Sequence, residues 1–162
     1  MQAPLCLTTE PEIITLPPTL FIYREKTGPF MQNAPLAWRE FWSIAGDKFG
    51  NASILDMAGL GWIDGSKHGD AAFIYQAGIV VESMPETLPE GLQIRSLPQS
   101  KYAAFLLTGP YTQLADAYPA VFAILAKTSL QIRDDFCMER YLNNPMTTPP
   151  EQLQTKILIP LV

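Results

Sequence analysis

Apolar residues recur along this chain with two spacings, and each spacing predicts a type of secondary structure. Short apolar runs at residues 20–24 and 102–107 predict strands, and each run leads into Thr-Gly-Pro. After each Thr-Gly-Pro turn, apolar residues recur at intervals of three and four, which is typical of an amphipathic helix. The stripe in the first helix comprises Trp38, Phe41, Trp42 and Ala45, and in the second it comprises Leu114, Tyr118, Val121, Phe122 and Leu125.

Further strands are predicted after each helix. They cover residues 54–57 and 71–81 in the first half of the chain, and 131–133, 136–142 and 155–161 in the second. Residues 59–69 are rich in turn-forming residues and are expected to connect the first two of these strands. Pro119 lies inside the second predicted helix and cannot donate to the Ala115 carbonyl, so a kink is expected there.

The sequence repeats itself at an offset of 81 residues. Residues 13–17 align with 94–98, and residues 27–29 align with 108–110 as Thr-Gly-Pro in both copies. The gap-free alignment contains ten identities, whereas random pairing over this stretch gives roughly two at ordinary composition. In the first half the identical positions are Ile13, Leu16, Pro17, Thr27, Gly28, Pro29, Gln32, Ala34, Phe41 and Ala45.

This duplication predicts one domain over residues 1–162 rather than two independent ones. Repeat one covers about 11–82 and repeat two about 92–162, and the connection at about 83–91 is too short to separate them. Two copies of a strand–helix–strand–strand unit would form one sheet with both helices on one face. The other face of the sheet, or the cleft between the helices, would then be free to receive a ligand.

Composition and charge narrow the classes of function. The net charge is −5 and the pI about 4.8, and no cluster of Lys and Arg is present, so direct nucleic-acid binding is not expected. No apolar run is long enough to span a membrane, and no signal peptide is visible. Two cysteines are too few for a disulfide framework, which points to a reducing compartment and to the cytoplasm.

The ordered motifs resemble the GyrI-like family, whose members are also called AraC-type effector-binding domains. The resemblance rests on Leu-Pro before a strand, on Thr-Gly-Pro-Tyr before a helix, and on the Glu-x-Tyr-Leu-Asn block at residues 139–143. The final apolar run, residues 154–161, is similar to the last strand of that family. The resemblance covers almost the whole chain, from about residue 11 to 162.

The resemblance implies a fold and a role. The fold is α+β, with two β-α-β-β units related by a pseudo-twofold axis in an antiparallel sheet, and an aromatic pocket between them for bulky, often cationic compounds. The acidic residue of the Glu-x-Tyr block commonly lies in that pocket, which implies this role for Glu139. The regulators in the family also carry a DNA-binding domain, for which this sequence has no room, so a stand-alone ligand module is expected.

Strand alternation gives Glu139 a physical interpretation of its own. Residues 137, 139 and 141 share one face of a strand, so Glu139 lies between Cys137 and Tyr141. Burying a carboxylate there costs roughly several kcal/mol unless a partner compensates, and a cationic ligand could be that partner. The alternative is a glutamate exposed to solvent or paired with Arg133 or Arg140.

Aromatic side chains are the other candidates for the pocket, although most aromatic residues in a domain of this size belong to the core. The candidates are Trp38, Trp42, Trp62, Tyr75, Phe105 and Tyr141. The single histidine, His68, is interpreted as part of a solvated turn. No phosphate loop, nucleophile elbow or metal-ligand cluster is visible, so neither a cofactor nor a metal is expected.

These observations favour a binding protein for a small hydrophobic or cationic ligand, acting as a sensor or by sequestration. The resemblance implies two alternatives. Some members of the family hydrolyse strained cyclopropane rings with a pocket glutamate as general base, which would assign catalysis to Glu139 with Tyr141 or Tyr75. Other members inhibit DNA gyrase, which would make gyrase, or a regulator, a protein partner of this chain.

Overall fold

Strands and helices follow one another in the same order in both halves of the chain. The computed structural model describes residues 4–46, 48–49, 54–63 and 72–162. The strands are β1 (Cys6–Leu7), β2 (Glu12–Leu16), β3 (Thr19–Thr27), β4 (Ile54–Ile63), β5 (Phe73–Val81), β6 (Gln93–Leu97), β7 (Ser100–Thr108), β8 (Cys137–Tyr141) and β9 (Gln154–Pro160). The helices are α1 (Phe30–Ala45) and α2 (Leu114–Ala126), and 3₁₀ turns cover Tyr111–Gln113 and Pro150–Gln152. The two units are therefore β3-α1-β4-β5 and β7-α2-β8-β9.

The two Thr-Gly-Pro turns depend on glycine. Gly28 has a φ of 130° and Gly109 a φ of 150°, both in a region that side chains rarely adopt. A Cβ on Gly28 would also meet Asn33 Nδ2 at 2.7 Å. The proline after each glycine then starts the helical segment, since it needs no hydrogen-bond acceptor at that position.

All strand pairs are antiparallel, and the two halves exchange their first strands. The order across the sheet is β1-β7-β9-β8-β4-β5-β3-β6. β2 also pairs with β7, along residues 100–104, whereas β1 pairs with residues 107–108. β2 precedes β3 in the first half but pairs with β7 of the second, while β6 precedes β7 but pairs with β3. Each half therefore completes the other's edge within one antiparallel sheet, and the predicted α+β fold class is confirmed.

Both helices pack on the same face of the sheet. Phe41 and Ala45 of α1 pack with Ile22 and Ile79, while Val121 of α2 packs in a separate buried cluster. That second cluster contains Ala103, Phe105, Leu107, Leu114, Ala117, Val121, Leu125, Ile157, Ile159 and Leu161. Trp42 and Phe122 belong to the predicted apolar stripes but are 40% and 39% exposed. The buried side of each helix is therefore narrower than the predicted stripe.

The opposite face of the sheet is not free to receive a ligand, contrary to one expectation from the sequence. Its side chains form a buried cluster although no described helix lies there, so the sheet itself must bend over them. The cluster contains Phe21, Tyr23, Ala58, Leu60, Val80, Leu97, Tyr102, Ala104, Met138 and Leu158. The cleft between the helices, the other expectation, is therefore where a site can lie.

Two of the predicted strands differ from those observed. β4 continues to Ile63, although a turn was predicted from residue 59. Gly59 and Gly61 lie within the strand, and their missing side chains leave space for neighbouring aromatic side chains. Residues 131–133 make only an isolated bridge, between Ile132 and Leu161. α2 runs on through Pro119, and the expected kink stays a prediction. His68 lies outside the described residues.

Candidate functional site

A cavity of about 570 Å³ lies between the helices and the sheet. Its lining residues are Phe30, Gly61, Trp62, Phe73, Tyr75, Ala115, Tyr118, Phe122, Ile132, Arg133, Asp134, Asp135, Cys137 and Glu139. Tyr75 and Glu139 are buried at its inner end, while Phe122, Ile132 and Asp134 are exposed and mark its mouth. The walls are mainly aromatic, and the size is that of a site for a drug-sized molecule.

Glu139 is only 4% exposed, and two phenols hold its carboxylate. Tyr118 donates to Oε2 over 2.6 Å, and Tyr141 donates to Oε1 over 2.7 Å. Arg133 pairs instead with Asp135, and Arg140 pairs with Asp56. The alternative in which Glu139 is exposed or paired with one of these arginines is therefore excluded.

The hydrogen bonds that lead to Glu139 all point the same way. The Trp38 indole N–H donates to Tyr75 Oη over 2.9 Å, and the hydroxyls of Tyr75 and Tyr141 are 2.9 Å apart. Tyr141 gives its only proton to Glu139, so Tyr75 must donate to Tyr141. This chain of donors ends on Glu139, and an ionised carboxylate can accept hydrogen bonds at both of its oxygens.

Burial and hydrogen bonding act on Glu139 in opposite directions. Desolvation raises the pKa of its carboxyl above the ordinary value, and the hydrogen bonds from Tyr118 and Tyr141 lower that pKa in part. Burial, followed by the charge of Glu139, raises the pKa of both Tyr118 and Tyr141 well above that of a free phenol. Both phenols therefore keep their protons at neutral pH and act as donors.

Gly59 provides the space for this network. It lies directly opposite Glu139 in the β4–β8 pair, and a Cβ there would collide with the Tyr75 hydroxyl and lie 2.7 Å from the Tyr141 hydroxyl. Gly61 lies opposite Cys137 on the same face and lines the cavity. The first half thus contributes glycines where the second half contributes the functional side chains.

Cys137 also lines the cavity, but as a neutral thiol. Burial, and then the charge of Glu139, raise the pKa of the thiol to about 12. Thiolates rather than thiols act as nucleophiles, so Cys137 is not activated for attack at neutral pH.

The structure brings together some of the candidate residues and not others. Trp62, Tyr75 and Glu139 line the cavity, and Trp38 and Tyr141 contact it only through the hydrogen-bond network. The remaining two candidates lie elsewhere in the fold. Binding roles for Trp62, Tyr75, Glu139, Trp38 and Tyr141 stay predictions.

Phe105 and Trp42 do not line the cavity, which corrects their placement at the pocket. Phe105 is 1% exposed and lies within the cluster beneath α2, because alternation in β7 points it at that helix. Trp42 is 40% exposed and stacks on Trp38, and it is not among the residues that line the cavity. Periodicity identified both residues as apolar, but not which neighbours they meet.

Tyr118 is the functional residue that the sequence analysis missed. It appeared there only as a member of the α2 stripe, although its hydroxyl makes the shortest hydrogen bond to Glu139. A phenol in an otherwise apolar helical stripe was the available signal, since a buried hydroxyl needs a partner. Phe30 and Phe73, which form an edge-to-face pair in the cavity wall, carried no comparable signal.

Other kinds of site are not found in the described part of the chain. It contains no group of three His, Cys, Asp or Glu side chains that could hold a metal ion. None of its helices combines the length and apolar character needed to cross a membrane.

Comparison with known sequences identifies the family of this domain. The sequence profile described as the GyrI-like small molecule binding domain matches residues 9–162. No curated protein matches this sequence.

Solved structures share the fold at low sequence identity. The EcmrR C-terminal domain has a TM-score of 0.72 at 11% identity, over 94% of this chain and 97% of that one. SAV2435 bound to tetraphenylphosphonium has a TM-score of 0.66 at 15% identity, over 94% of each chain. A hydrolase from Listeria innocua has a TM-score of 0.57 at 12% identity, over 95% of this chain and 92% of that one.

Gly59→Ala is expected to disrupt the network and destabilise the protein by about 1–3 kcal/mol, because the new methyl group displaces the Tyr75 and Tyr141 hydroxyls. Gly61→Ala is the matched control on the same strand face. The nearest atom to its Cβ would be in the Phe73 ring, at 3.1 Å, and neither Tyr75 nor Tyr141 is among its nearest contacts. Urea denaturation of both variants measures the difference. Equal destabilisation by the two substitutions would contradict this role of Gly59.

Glu139→Gln is expected to change the pH dependence of stability. The pKa of Glu139 is raised on folding, so its contribution to stability is present below about pH 4, the unfolded value, and is lost as the pH rises through the folded pKa. The variant should therefore gain stability over the parent as the pH rises, and each unit of pKa elevation removed contributes about 1.4 kcal/mol. Denaturation of the ligand-free proteins between about pH 4 and 8 tests this, and a constant difference would contradict it.

Proposed function

This chain belongs to the GyrI-like small molecule binding domain family, and we propose that its cavity binds a lipophilic cation whose charge lies against Glu139. The aromatic walls would remove the ligand from water, and their ring faces would attract its charge. In this proposal the protein senses or sequesters such a compound and does not transform it.

The observation that carries the proposal is the state of Glu139. A buried carboxylate normally lies beside a cation, because desolvating it alone costs roughly several kcal/mol. Here the four described groups nearest in the network are neutral side chains, namely Trp38, Tyr75, Tyr118 and Tyr141. These phenols orient the charge without neutralising it, so a cationic ligand would complete the pair.

Two of the similar structures are consistent with this proposal. SAV2435 is a protein of the same fold bound to tetraphenylphosphonium, a lipophilic cation with aromatic groups. EcmrR contains its similar domain within a longer chain that has been seen in complex with DNA. A role in transcription regulation, through a separate partner, and a cytoplasmic location are further parts of the proposal for this chain.

Tetraphenylphosphonium is expected to bind the parent protein, and Glu139→Gln should weaken that binding about tenfold or more, because removal of one partner of a buried charge pair costs several kcal/mol. Triphenylphosphine oxide, a neutral probe of similar aromatic character, should not distinguish the two proteins. Isothermal titration calorimetry measures both affinities. Glu86→Gln, which removes an exposed charge between β5 and β6, is the control for net charge.

The two possible failures of this experiment have different meanings. Equal affinity of parent and Glu139→Gln for tetraphenylphosphonium would remove the carboxylate from the binding site. No binding of either probe would overturn the proposed ligand class.

Hydrolysis is the second candidate function, and the raised pKa of Glu139 favours it. A carboxyl whose pKa lies nearer to the working pH is a better general base for water. Tyr75 lines the cavity beside it, and because its proton is given to Tyr141, its hydroxyl could position that water only as an acceptor. The similar fold of a hydrolase from Listeria innocua is consistent with this role.

An activated cyclopropane electrophile distinguishes hydrolysis from binding. If the cavity is catalytic, prolonged incubation should release the ring-opened product, and Glu139→Gln should slow its release about 100-fold or more. Mass spectrometry of the recovered compound measures the conversion, and recovery of the intact ring would argue for binding alone. A gyrase partner, the third expectation, stays a prediction that a pull-down with gyrase subunits at low salt would test.

A further inference from the structure

The mouth of the cavity carries a second carboxylate, Asp134, which forms no ion pair with a described cation, although Arg133 lines the same mouth. Its Oδ1 accepts the Trp62 indole N–H over 3.0 Å, but the indole is neutral and leaves the negative charge in place. Its neighbour Asp135 differs, since Arg133 Nε lies 3.3 Å from its Oδ2. Asp134 is therefore the available anion at this end of the cavity.

Trp62 and this carboxylate together could attract a cation. Trp62 is among the residues that line the cavity, and its indole N–H donates to Asp134, which lies 72 positions away in the sequence. A carboxylate that accepts the indole proton polarises the ring towards higher electron density. The ring face then attracts a cation more strongly, and the nearby carboxylate adds a direct attraction.

The two anionic groups lie at opposite ends of one aromatic cavity. Glu139 is buried at the inner end, and Asp134 is exposed at the mouth. Their Cα atoms are five residues apart, so they are separated by at most about 17 Å. A single drug-sized molecule can reach both groups, with its apolar middle against the rings of Phe30, Phe73, Tyr118 and Phe122.

We infer that the preferred ligand is an elongated lipophilic dication, with one charge at Glu139 and the other between Asp134 and the face of Trp62. This inference rests on the proposed function, because it uses the same cavity and the same inner carboxylate. It adds that affinity and selectivity depend on a second positive charge at the mouth. A monocation would interact with Glu139 and would leave Asp134 without a cationic partner.

Two probes with the same ten-carbon chain, one with a cationic group at each end and one with a single cationic group, test the second charge. The dication has two phenyldimethylammonium groups joined by a methylene linker of roughly ten carbons, a length chosen to stay within the limit on the distance between the Cα atoms of Glu139 and Asp134. The monocation is decylphenyldimethylammonium, which lacks the second head. The parent should bind the dication about fivefold or more tightly than the monocation at low salt, which exceeds the statistical effect of two equal heads.

Asp134→Asn is the decisive variant, because asparagine keeps an oxygen that can accept the Trp62 N–H while removing the charge. It should lose the preference for the dication and change monocation affinity by less than about twofold. Glu86→Gln removes one exposed charge outside the cavity and should keep the preference. Trp62→Phe should reduce the preference, since phenylalanine has no N–H for Asp134 and a weaker cation–π face.

The outcomes separate this inference from the proposed function. Equal affinity of the parent for the two probes, or an undiminished preference in Asp134→Asn, would overturn the inference. Tetraphenylphosphonium binding that depends on Glu139 would still support the proposed function in that case. Failure of the parent to bind either probe or tetraphenylphosphonium would overturn both. An unfolding midpoint of Asp134→Asn near that of the parent confirms that the variant folds.

Discussion

The carboxylate of Glu139 is buried where the two halves of the sheet meet, and the arrangement of the site follows from that burial. Desolvation opposes the charge, and two phenol hydroxyls compensate for it in part. Trp38 and Tyr75 fix the direction of one of these hydroxyls from behind. An arginine in place of the phenols would have neutralised the charge. Phenols leave it able to attract a ligand.

The internal duplication makes this asymmetric site possible. At the β4–β8 pair one strand presents Gly59 and Gly61, and the other presents Glu139 and Cys137 directly opposite. Symmetric side chains at these positions would have filled the space between the helices. Because β4 supplies space and β8 supplies chemical groups on this face, the junction of two similar units contains a cavity with one inner anion.

The exchange of first strands gives this cavity a fixed frame. β2 completes the edge of the second half and β6 completes the edge of the first, so the halves cannot separate without breaking both ladders. The face of the sheet away from the helices is closed by its own apolar cluster. The remaining opening lies beside the helices, where Trp62 and Asp134 join the two halves across the mouth. A preformed pocket of this kind needs little rearrangement to accept a ligand.

The sequence by itself determined the repeated β-α-β-β order, the Thr-Gly-Pro turns and the common strand face of Cys137, Glu139 and Tyr141, because these depend on local periodicity and on backbone angles of neighbouring residues. It left open whether that face points into the fold, which the pairing of β8 with β4 and β9 decides. It did not reveal that β4 continues through Gly59, since the reason for that glycine is the Tyr75 hydroxyl of the next strand. Only the tertiary structure revealed the bond from Tyr118 to Glu139 and the pairing of Trp62 with Asp134. Their partners are distant in sequence, and closure of the sheet decides which side chains come within hydrogen-bond distance.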